Sequence, residues 1–389
     1  MSTTRKQRIA LSIYFFLAGF CFATWASRIP SIKDHFNLND AELGNLLLTM
    51  PVSSLIGLPI SGWLVARFNS RVPMAVSFIF FAVALAVIGF AQNMVVLVAA
   101  IFVFAFCMRI LNISLNTQSI TLQKKYGRTI LGSFHGIWSS GGVLGVGCST
   151  LMVRFDVPMH YHLMGISILV LIIAVAIYGW LIKQDKATSG NKLQLGKPDK
   201  FVLYLGLLVF FAAICEGGMF DWTGVYFKEI VGQDVFTLGH LSFMVFMALS
   251  RFMSDRIIDL IGREKTYIFS SITIVSGILI AICLPYFWPV LIGFGMVGLG
   301  TAAIFPMTFG LAGKSKKYSA GMAVSIISTY SIVGMLLGPP LVGYLAHAFN
   351  LKVGFILFLF AGLMFIPISQ LFFALTRKKP GQDIQGPID

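Results

Sequence analysis

Two acidic residues lie inside a long apolar stretch of this sequence, where a charged group is costly. Of the 15 Asp and Glu residues, only Glu216 and Asp221 fall within such a stretch (201–227) rather than in a loop, a helix end or a tail. Gly217-Gly218 follows Glu216, and a helix can break at paired glycines. We therefore predict that Glu216 binds substrate or a proton, unless it only pairs with a neighbouring helix. Asp221 would be a gate or a cap.

A polar stripe runs through a second apolar stretch, at 94–122. Its members are three or four residues apart, which places them on one face of a helix; they are Arg109, Asn112, Asn116, Ser119 and Gln123. Such a face should contact a water-filled cavity or the polar groups of another helix rather than lipid. For Arg109 the alternatives are substrate binding, a structural pair, or a side chain that reaches towards the membrane surface.

Arg109 and Glu216 lie at similar depths if both stretches cross a membrane. They are about one and about two residues from the centres of their stretches, which gives a depth difference of ~4–5 Å at ~1.5 Å per residue. We predict that they face one cavity and pair when it is empty, so that a substrate carboxylate can replace Glu216 on the guanidinium. The alternative is that each is satisfied within its own half of the chain.

Four further residues are weaker candidates for substrate binding. Trp25 and Arg28 come just before Pro30 at the end of an apolar stretch, where an aromatic residue either contacts ligand or anchors the helix at the membrane surface. His135 and Trp138 lie in another apolar stretch, where a histidine either titrates near a cavity or is held by structural hydrogen bonds.

The elements that carry these residues are long apolar segments. The chain has 389 residues, of which 57% are hydrophobic and 11% charged, and its apolar blocks have the ~20 residues that cross a bilayer.

Lys and Arg concentrate in the loops on one side, which predicts that both termini are cytoplasmic. This distribution explains the net charge of +14, so the charge does not indicate nucleic-acid binding. The five cysteines fall in these blocks and are expected to be buried. We predict twelve spans, near 9–28, 43–66, 72–91, 94–122, 130–153, 161–183, 201–227, 236–254, 265–284, 287–311, 320–346 and 351–376.

The chain also reads as two halves. The polar segment 184–200 separates a six-helix bundle at 1–183 from a second at 201–389, which ends in a short cytoplasmic tail. Lys124-Lys125-Tyr126 recurs as Lys316-Lys317-Tyr318, 192 residues later, and a second loop pattern recurs with an offset of 193. Duplicated halves with a substrate site between them are typical of secondary transporters.

That second pattern carries a family resemblance. The loops at 62–71 and 255–264 resemble the signature G-x-L-a-D-r-x-G-r-r of the major facilitator superfamily, and the resemblance implies a gating role there. The first copy departs from the signature, because Ala66 replaces the acid, Asn69 the glycine and Ser70 an arginine. The predicted gating residues are Arg67, Arg71, Asp255, Asp259, Gly262 and Arg263. Four local motifs resemble the YbjJ-type branch near the fucose permeases: ATWASRIPSIKD (23–34), NxxxNTQ (112–118), GRTILGSFHGIWSSGG (127–142) and CEGGMFDW (215–222).

The resemblance implies two six-helix bundles that move a solute by alternating access, with the glycine-rich spans 5 and 11 at the interface between them. The predicted fold class is an all-α membrane protein with twelve transmembrane helices, and the chain is not expected to be an enzyme, since it has no P-loop or metal-binding pattern. We expect proton-coupled symport of a small polar solute (sugar-like, or an organic anion or zwitterion) across the inner membrane. The alternative is export of amphipathic compounds. We expect a monomer without a cofactor or nucleic-acid partner, driven by the proton motive force.

Overall fold

Helices account for nearly all of the regular structure. The computed structural model describes residues 3–126, 130–185, 199–318 and 320–377, and this part of the chain contains no strand. Its helices are α1 (Thr3–Ala26), α2 (Ile29–His35), α3 (Asp40–Leu47), α4 (Thr49–Arg67), α5 (Arg71–Phe90), α6 (Met94–Tyr126), α7 (Leu131–Arg154), α8 (Met159–Ile177), α9 (Lys200–Glu229), α10 (Thr237–Ile261), α11 (Arg263–Cys283), α12 (Phe287–Thr301), α13 (Ile304–Ala312), α14 (Ala320–Ala348), α15 (Leu351–Leu363) and α16 (Phe365–Arg377), with a 3-10 turn at Tyr178–Trp180.

Local sequence explains where several of these helices begin. Pro30 lies in the first turn of α2, where its missing N–H costs nothing. Asn39 and Glu42 form a capping box at α3, each side chain accepting a hydrogen bond from the other residue's backbone. Asp199 caps α9 through a single bond, in which its side chain accepts from the backbone N–H of Val202. Three of the predicted spans correspond to two successive helices each: α3–α4, α12–α13 and α15–α16. The first predicted span, 9–28, corresponds to α1, and α2 begins directly after it.

Eleven segments of the described chain are long and apolar enough to cross a membrane. The remaining predicted span corresponds to α10, which is 25 residues long and interrupts its apolar residues with His240 and Arg251. The prediction ended this span at residue 254 and counted Arg251, three residues from that end, with the basic residues of the inner side. The helix continues for ten residues beyond Arg251, which therefore lies well inside α10.

The chain divides into two compact units, Met1–Lys192 with Asp234–Thr237, and Leu193–Gln233 with Leu238–Asp389. The two units repeat their internal hydrogen bonds. In the first, the hydroxyl of Ser53 donates to the backbone oxygen of Phe102 (2.6 Å). In the second, Ser242 and Ser250 donate to the backbone oxygens of Leu291 and Leu299 (2.7 and 2.9 Å). Donor and acceptor are 49 residues apart in all three bonds, so α4–α6 and α10–α12 pack in the same register.

Glycines allow close helix packing within each unit. A Cβ on Gly141 of α7 would lie 2.1 Å from the backbone oxygen of Phe16 in α1, which no real Cβ could occupy. A Cβ on Gly334 of α14 would lie 2.4 Å from the backbone oxygen of Phe210 in α9. Gly141 and Gly334 are 193 residues apart, the offset of the loop repeat. The glycines of spans 5 and 11 therefore have a packing role inside their own units.

One cysteine differs from its expected burial. Cys283 is the last residue of α11 and is exposed, whereas Cys21, Cys107 and Cys215 are buried and Cys148 is partly buried. All five are free thiols. The expectation that every cysteine is buried was therefore wrong for Cys283, because an apolar block can extend to the end of a helix where a side chain is no longer covered.

Candidate functional site

In the second unit, Glu216 forms an ion pair with Arg251. Oε1 of Glu216 accepts a hydrogen bond from Nη2 of Arg251 at 2.8 Å, and the two side chains are 14% and 21% exposed. Glu216 is close to the middle of α9, so its partner lies at the same depth. Arg251 is therefore a deeply placed cation that the sequence analysis missed. The signal that could have identified it is its position in FMALSRFM, with apolar residues on both sides.

The other carboxylate oxygen of Glu216 does not take part in this ion pair. Oε2 is buried and has no hydrogen-bond partner in the described part of the chain. The following glycines do not break the helix, because α9 is continuous from Lys200 to Glu229. A Cβ on Gly218 would lie 2.2 Å from the ring of Phe358, so this glycine is needed for packing against α15. The expected exposure of backbone groups at Gly217-Gly218 is thus corrected to a tight helix contact.

Asp221 lies one turn and a half further along α9. It is half-buried, and within the residues that the structure describes no hydrogen bond or ion pair involves it. Nearby, His240 of α10 is 1% exposed, its ring is edge-on to Phe220 at 5.6 Å, and its Nε2 has no described partner. The role of Asp221 as a gate or a cap stays a prediction.

In the first unit, Arg109 has a different environment. Its stem packs against α4, where a Cβ on Gly57 would approach Cβ of Arg109 to 3.3 Å. Its Nε atom is buried without an acceptor, and no ion pair to Arg109 occurs among the described residues. The pairing of Arg109 with Glu216 stays a prediction, but Glu216 already has a partner in its own unit.

Asn112 and Asn116 continue the stripe on α6 and are both half-buried. Nδ2 of Asn116 donates to the backbone oxygen of Asn112 (2.9 Å) and to its Oδ1 (3.2 Å). The two residues at the far end of the stripe, Ser119 and Gln123, bond to backbone groups. Ser119 is fully buried and donates to the backbone oxygen of Asn116, while Gln123 accepts from the backbone N–H of Ile130.

Trp25 and Arg28 are both buried and contact residues of the first unit, and their part in substrate binding stays a prediction. Trp25 is fully buried and packs against Phe104 with ring centroids 5.9 Å apart, so the interpretation of Trp25 as a surface anchor was wrong. Arg28 donates from Nε to Nδ1 of His162 (3.2 Å) and from Nη2 to the backbone oxygen of Val157 (3.1 Å). These bonds tie the segment after α1 to the start of α8.

His135 and Trp138 lie on α7, facing α1. His135 is exposed and its ring is edge-on to Phe15 at 5.9 Å, whereas Trp138 is half-buried and lies 6.0 Å from Phe22. Their part in ligand binding stays a prediction.

The first loop motif contains an acid that the sequence analysis did not assign to it. Asp185, which was placed in the linker, is 8% exposed and accepts hydrogen bonds from the backbone N–H (2.9 Å) and the hydroxyl of Ser70. The backbone N–H of Asp185 in turn donates to Oδ1 of Asn69 (3.3 Å). This carboxylate lies at the start of α5, where the helix dipole favours a negative charge.

The basic residues of this motif contact aromatic rings. The guanidinium of Arg71 is 3.9 Å from the ring centroid of Tyr178, and that of Arg67 is 6.0 Å from the ring of Trp63. Arg71 thus holds the start of the 3-10 turn against the start of α5 through a cation–π contact.

The second loop motif is held by a different pair. Gly262 has φ +79, a left-handed conformation that favours glycine, and precedes α11. Glu264 in the first turn of α11 pairs with Arg377 at the end of α16 (2.6 Å). Asp259 is exposed, Arg263 has a buried Nη1 without a described partner, and the side chain of Asp255 lies outside the described part of the structure.

The fold and sequence match a known class of membrane proteins. A family model described as the Major Facilitator Superfamily matches residues 11–254 and 209–387. The chain belongs to this superfamily of transporters, and the predicted all-α membrane fold of the major facilitator type is confirmed.

Individual relatives cover most of the chain. An uncharacterized MFS-type transporter of Yersinia pestis is 29% identical over 90% of this chain and 91% of its own length. The cis,cis-muconate transport protein of Acinetobacter baylyi is 23% identical over 84% of both chains. Among solved structures, the nucleoside transporter NupG has a TM-score of 0.71 at 13% identity, covering 97% of this chain and 100% of NupG; at that identity the likeness shows the fold alone.

Proposed function

We propose that this chain is a secondary transporter that carries a small polar organic solute across the inner membrane by alternating access, in symport with protons. The observation that carries the proposal is the Glu216–Arg251 pair inside the apolar helices α9 and α10. A charge at the centre of a bilayer costs about 2.5–3.5 kcal/mol on insertion scales, so such residues are retained chiefly for function.

Proton coupling follows from the chemistry of this pair. In this proposal the carboxylate of Glu216, which binds Arg251, is also the group that takes up the coupled proton. Oε2 of Glu216 is buried without a described partner, which leaves an oxygen to receive the proton. Protonation would remove the negative charge that binds Arg251, and the proposal couples the loss of this pair to the transport cycle.

The solute class rests on the polar stripe of α6 and on the relatives. Arg109, Asn112 and Asn116 offer polar contacts on one helix face. One relative is a muconate transport protein. Its name denotes a small polar solute, and we extend that class to this chain: a sugar-like compound, an organic anion or a zwitterion.

The remaining features of the proposal come from the sequence. We place the chain in the YbjJ-type branch near the fucose permeases, with bundles at 1–183 and 201–389 joined by a cytoplasmic linker. Both termini would be cytoplasmic, because Lys and Arg concentrate in the loops on that side. We propose a monomer that uses the proton motive force and no cofactor.

Transport in proteoliposomes tests the proposal. A thermal-shift screen of sugars, amino acids, organic acids and nucleosides supplies the solute, since a ligand that binds the folded state raises the melting point. Glu216→Gln should abolish uptake driven by a pH gradient and keep solute counterflow. Glu229→Gln, an exposed acid at the end of the same helix, is the control and should keep both. Unchanged pH-driven accumulation in Glu216→Gln would refute proton coupling through this residue.

A further inference from the structure

The face of α6 that carries Arg109 presents a positive charge without a counter-charge. Arg109 has no ion-pair or hydrogen-bond partner among the described residues, and its Nε is buried. A guanidinium carries five N–H donors and no acceptor. Because an unpaired cation with a buried donor is costly, a group that supplies both negative charge and acceptor atoms would be strongly favoured beside it.

The hydrogen bonds between Asn112 and Asn116 determine which amide atoms lie on this face. Nδ2 of Asn116 lies 2.9 Å from the backbone oxygen of Asn112, and a backbone oxygen only accepts, so the amide group there must be the donor. The same NH2 group lies 3.2 Å from the side chain of Asn112, which must therefore turn its oxygen towards Asn116. The NH2 group of Asn112 is left facing away from Asn116, and no described residue accepts from it.

Arg109 and Asn112 therefore form a patch of donors. Residues three apart are neighbours on a helix surface, so the NH2 group of Asn112 is added to the donors of the guanidinium. Both residues are partly exposed rather than sealed in the core. A sugar or another neutral solute would satisfy some donors but leave the charge uncompensated.

We propose that Arg109 and Asn112 bind a carboxylate of the transported solute, which makes the substrate an organic acid rather than a neutral sugar. This inference rests on the proposed transport function and narrows its substrate class. Arg109 would take the carboxylate through two parallel N–H···O bonds, the geometry that arginine favours. Asn112 would donate to a remaining oxygen lone pair.

The test uses the purified full chain in detergent and pairs of solutes of similar shape, in which a neutral amide replaces the carboxylate. The probes are benzoate and benzamide, nicotinate and nicotinamide, adipate and adipamide, and glucuronate and glucuronamide, with glucose and uridine as neutral solutes. At least one carboxylate should raise the melting midpoint while its amide does not. Arg109→Gln should weaken binding of that carboxylate about tenfold or more, the loss expected for a charge-assisted bond. Arg154→Gln, an exposed arginine at the end of α7, should bind as the unmodified chain does.

A second variant separates binding from folding. Asn112→Asp places a carboxylate beside Arg109 on the same helix face, so it should supply the missing counter-charge internally. We expect the midpoint without ligand to stay or rise, and the response to the carboxylate to disappear. A purely structural role for Arg109 would instead lower the midpoint of Arg109→Gln and leave the affinity of the folded protein unchanged, which would overturn the inference.

The outcomes also separate this inference from the proposed function. If glucose, uridine or an amide raises the midpoint and no carboxylate does, the carboxylate site is wrong and transport of a polar solute stands. If Arg109→Gln binds the carboxylate within twofold of the unmodified chain, the site is also wrong. If no solute of either kind raises the midpoint, both are overturned.

Discussion

The two units of this chain hold their membrane-embedded arginines in opposite ways. Arg251 in the second unit is paired with Glu216 at 2.8 Å, whereas Arg109 in the first has no described partner. At the offset of 193, the counterparts of Arg109 and Glu216 are alanines, Ala302 and Ala23. The packing glycines Gly141 and Gly334 and the 49-residue hydrogen-bond register are common to both units. The scaffold is thus duplicated, while the charges are particular to each half.

The helix ends show the same contrast. Arg71 is the first residue of α5, and its counterpart Glu264 lies in the first turn of α11 with the opposite charge. The segment after α8 supplies the acid Asp185 to the first motif, and α16 supplies the base Arg377 to the second. In each unit, a residue at or just after the end of the sixth span contacts the start of the third span. That residue is an acid in the first unit and a base in the second.

The largest expected effect is a difference in stability between variants of Arg251 and of Arg109. Arg251→Gln leaves Glu216 without its counter-charge and should destabilise the fold by about 3 kcal/mol, as breaking a buried pair does. Arg109→Gln removes an unpaired charge and should cost nothing or stabilise. The measurement is unfolding of both variants in detergent. Equal losses would remove the contrast between the units, and the Glu216→Gln, Arg251→Gln double variant should recover much of the first loss.

The glycine contacts should behave alike in both units. Gly141→Ala and Gly334→Ala each place a methyl group against a backbone oxygen, which should cost about 2 kcal/mol. Gly147 of α7 has open space around it, and Gly338 of α14 has ordinary contact at 3.8 Å, so Gly147→Ala and Gly338→Ala are the matched controls. Thermal unfolding of the four variants checks this. A loss in only one unit would mean that the scaffold is not equivalent in the two halves.

The first motif should depend on its acid to a smaller extent. Asp185→Ala removes two acceptors from Ser70 and should cost about 1–2 kcal/mol, the usual range for a buried donor left unpaired. Asp234 is exposed and makes no described contact, so Asp234→Ala controls for the loss of an acidic residue. Chemical unfolding provides the comparison. Equal stability of the two variants would show that the contact with Ser70 contributes nothing.

The smallest effect is expected at the second motif. The side chain of Arg377 is 71% exposed and that of Glu264 is 26% exposed. A double-mutant cycle with Arg377→Gln and Glu264→Gln should give a coupling of at most about 0.5 kcal/mol, and less in high salt. A coupling as large as the effect of Asp185→Ala would mean that the two units hold this end equally firmly.

The sequence could predict which residues share a helix face, but not which residues they contact in the fold. The three- and four-residue spacing on α6 identifies Arg109, Asn112 and Asn116 as one face, and the apolar surroundings identify Glu216 as exceptional. Arg251 was missed because it lies near a predicted helix end, and a hydropathy pattern does not fix where a helix stops. Asp185 was missed because its contact with Ser70 joins residues 115 apart, and no local pattern encodes such a contact.

The exposed thiol at the end of α11 allows the membrane orientation to be determined by chemical labelling. Cys283 is the exposed cysteine of the five, and α11 would run from the cytoplasmic to the outer side in the proposed topology. A membrane-impermeant maleimide added to intact cells should therefore modify this thiol without any engineered cysteine. Reaction only in inside-out vesicles would place both termini on the outer side.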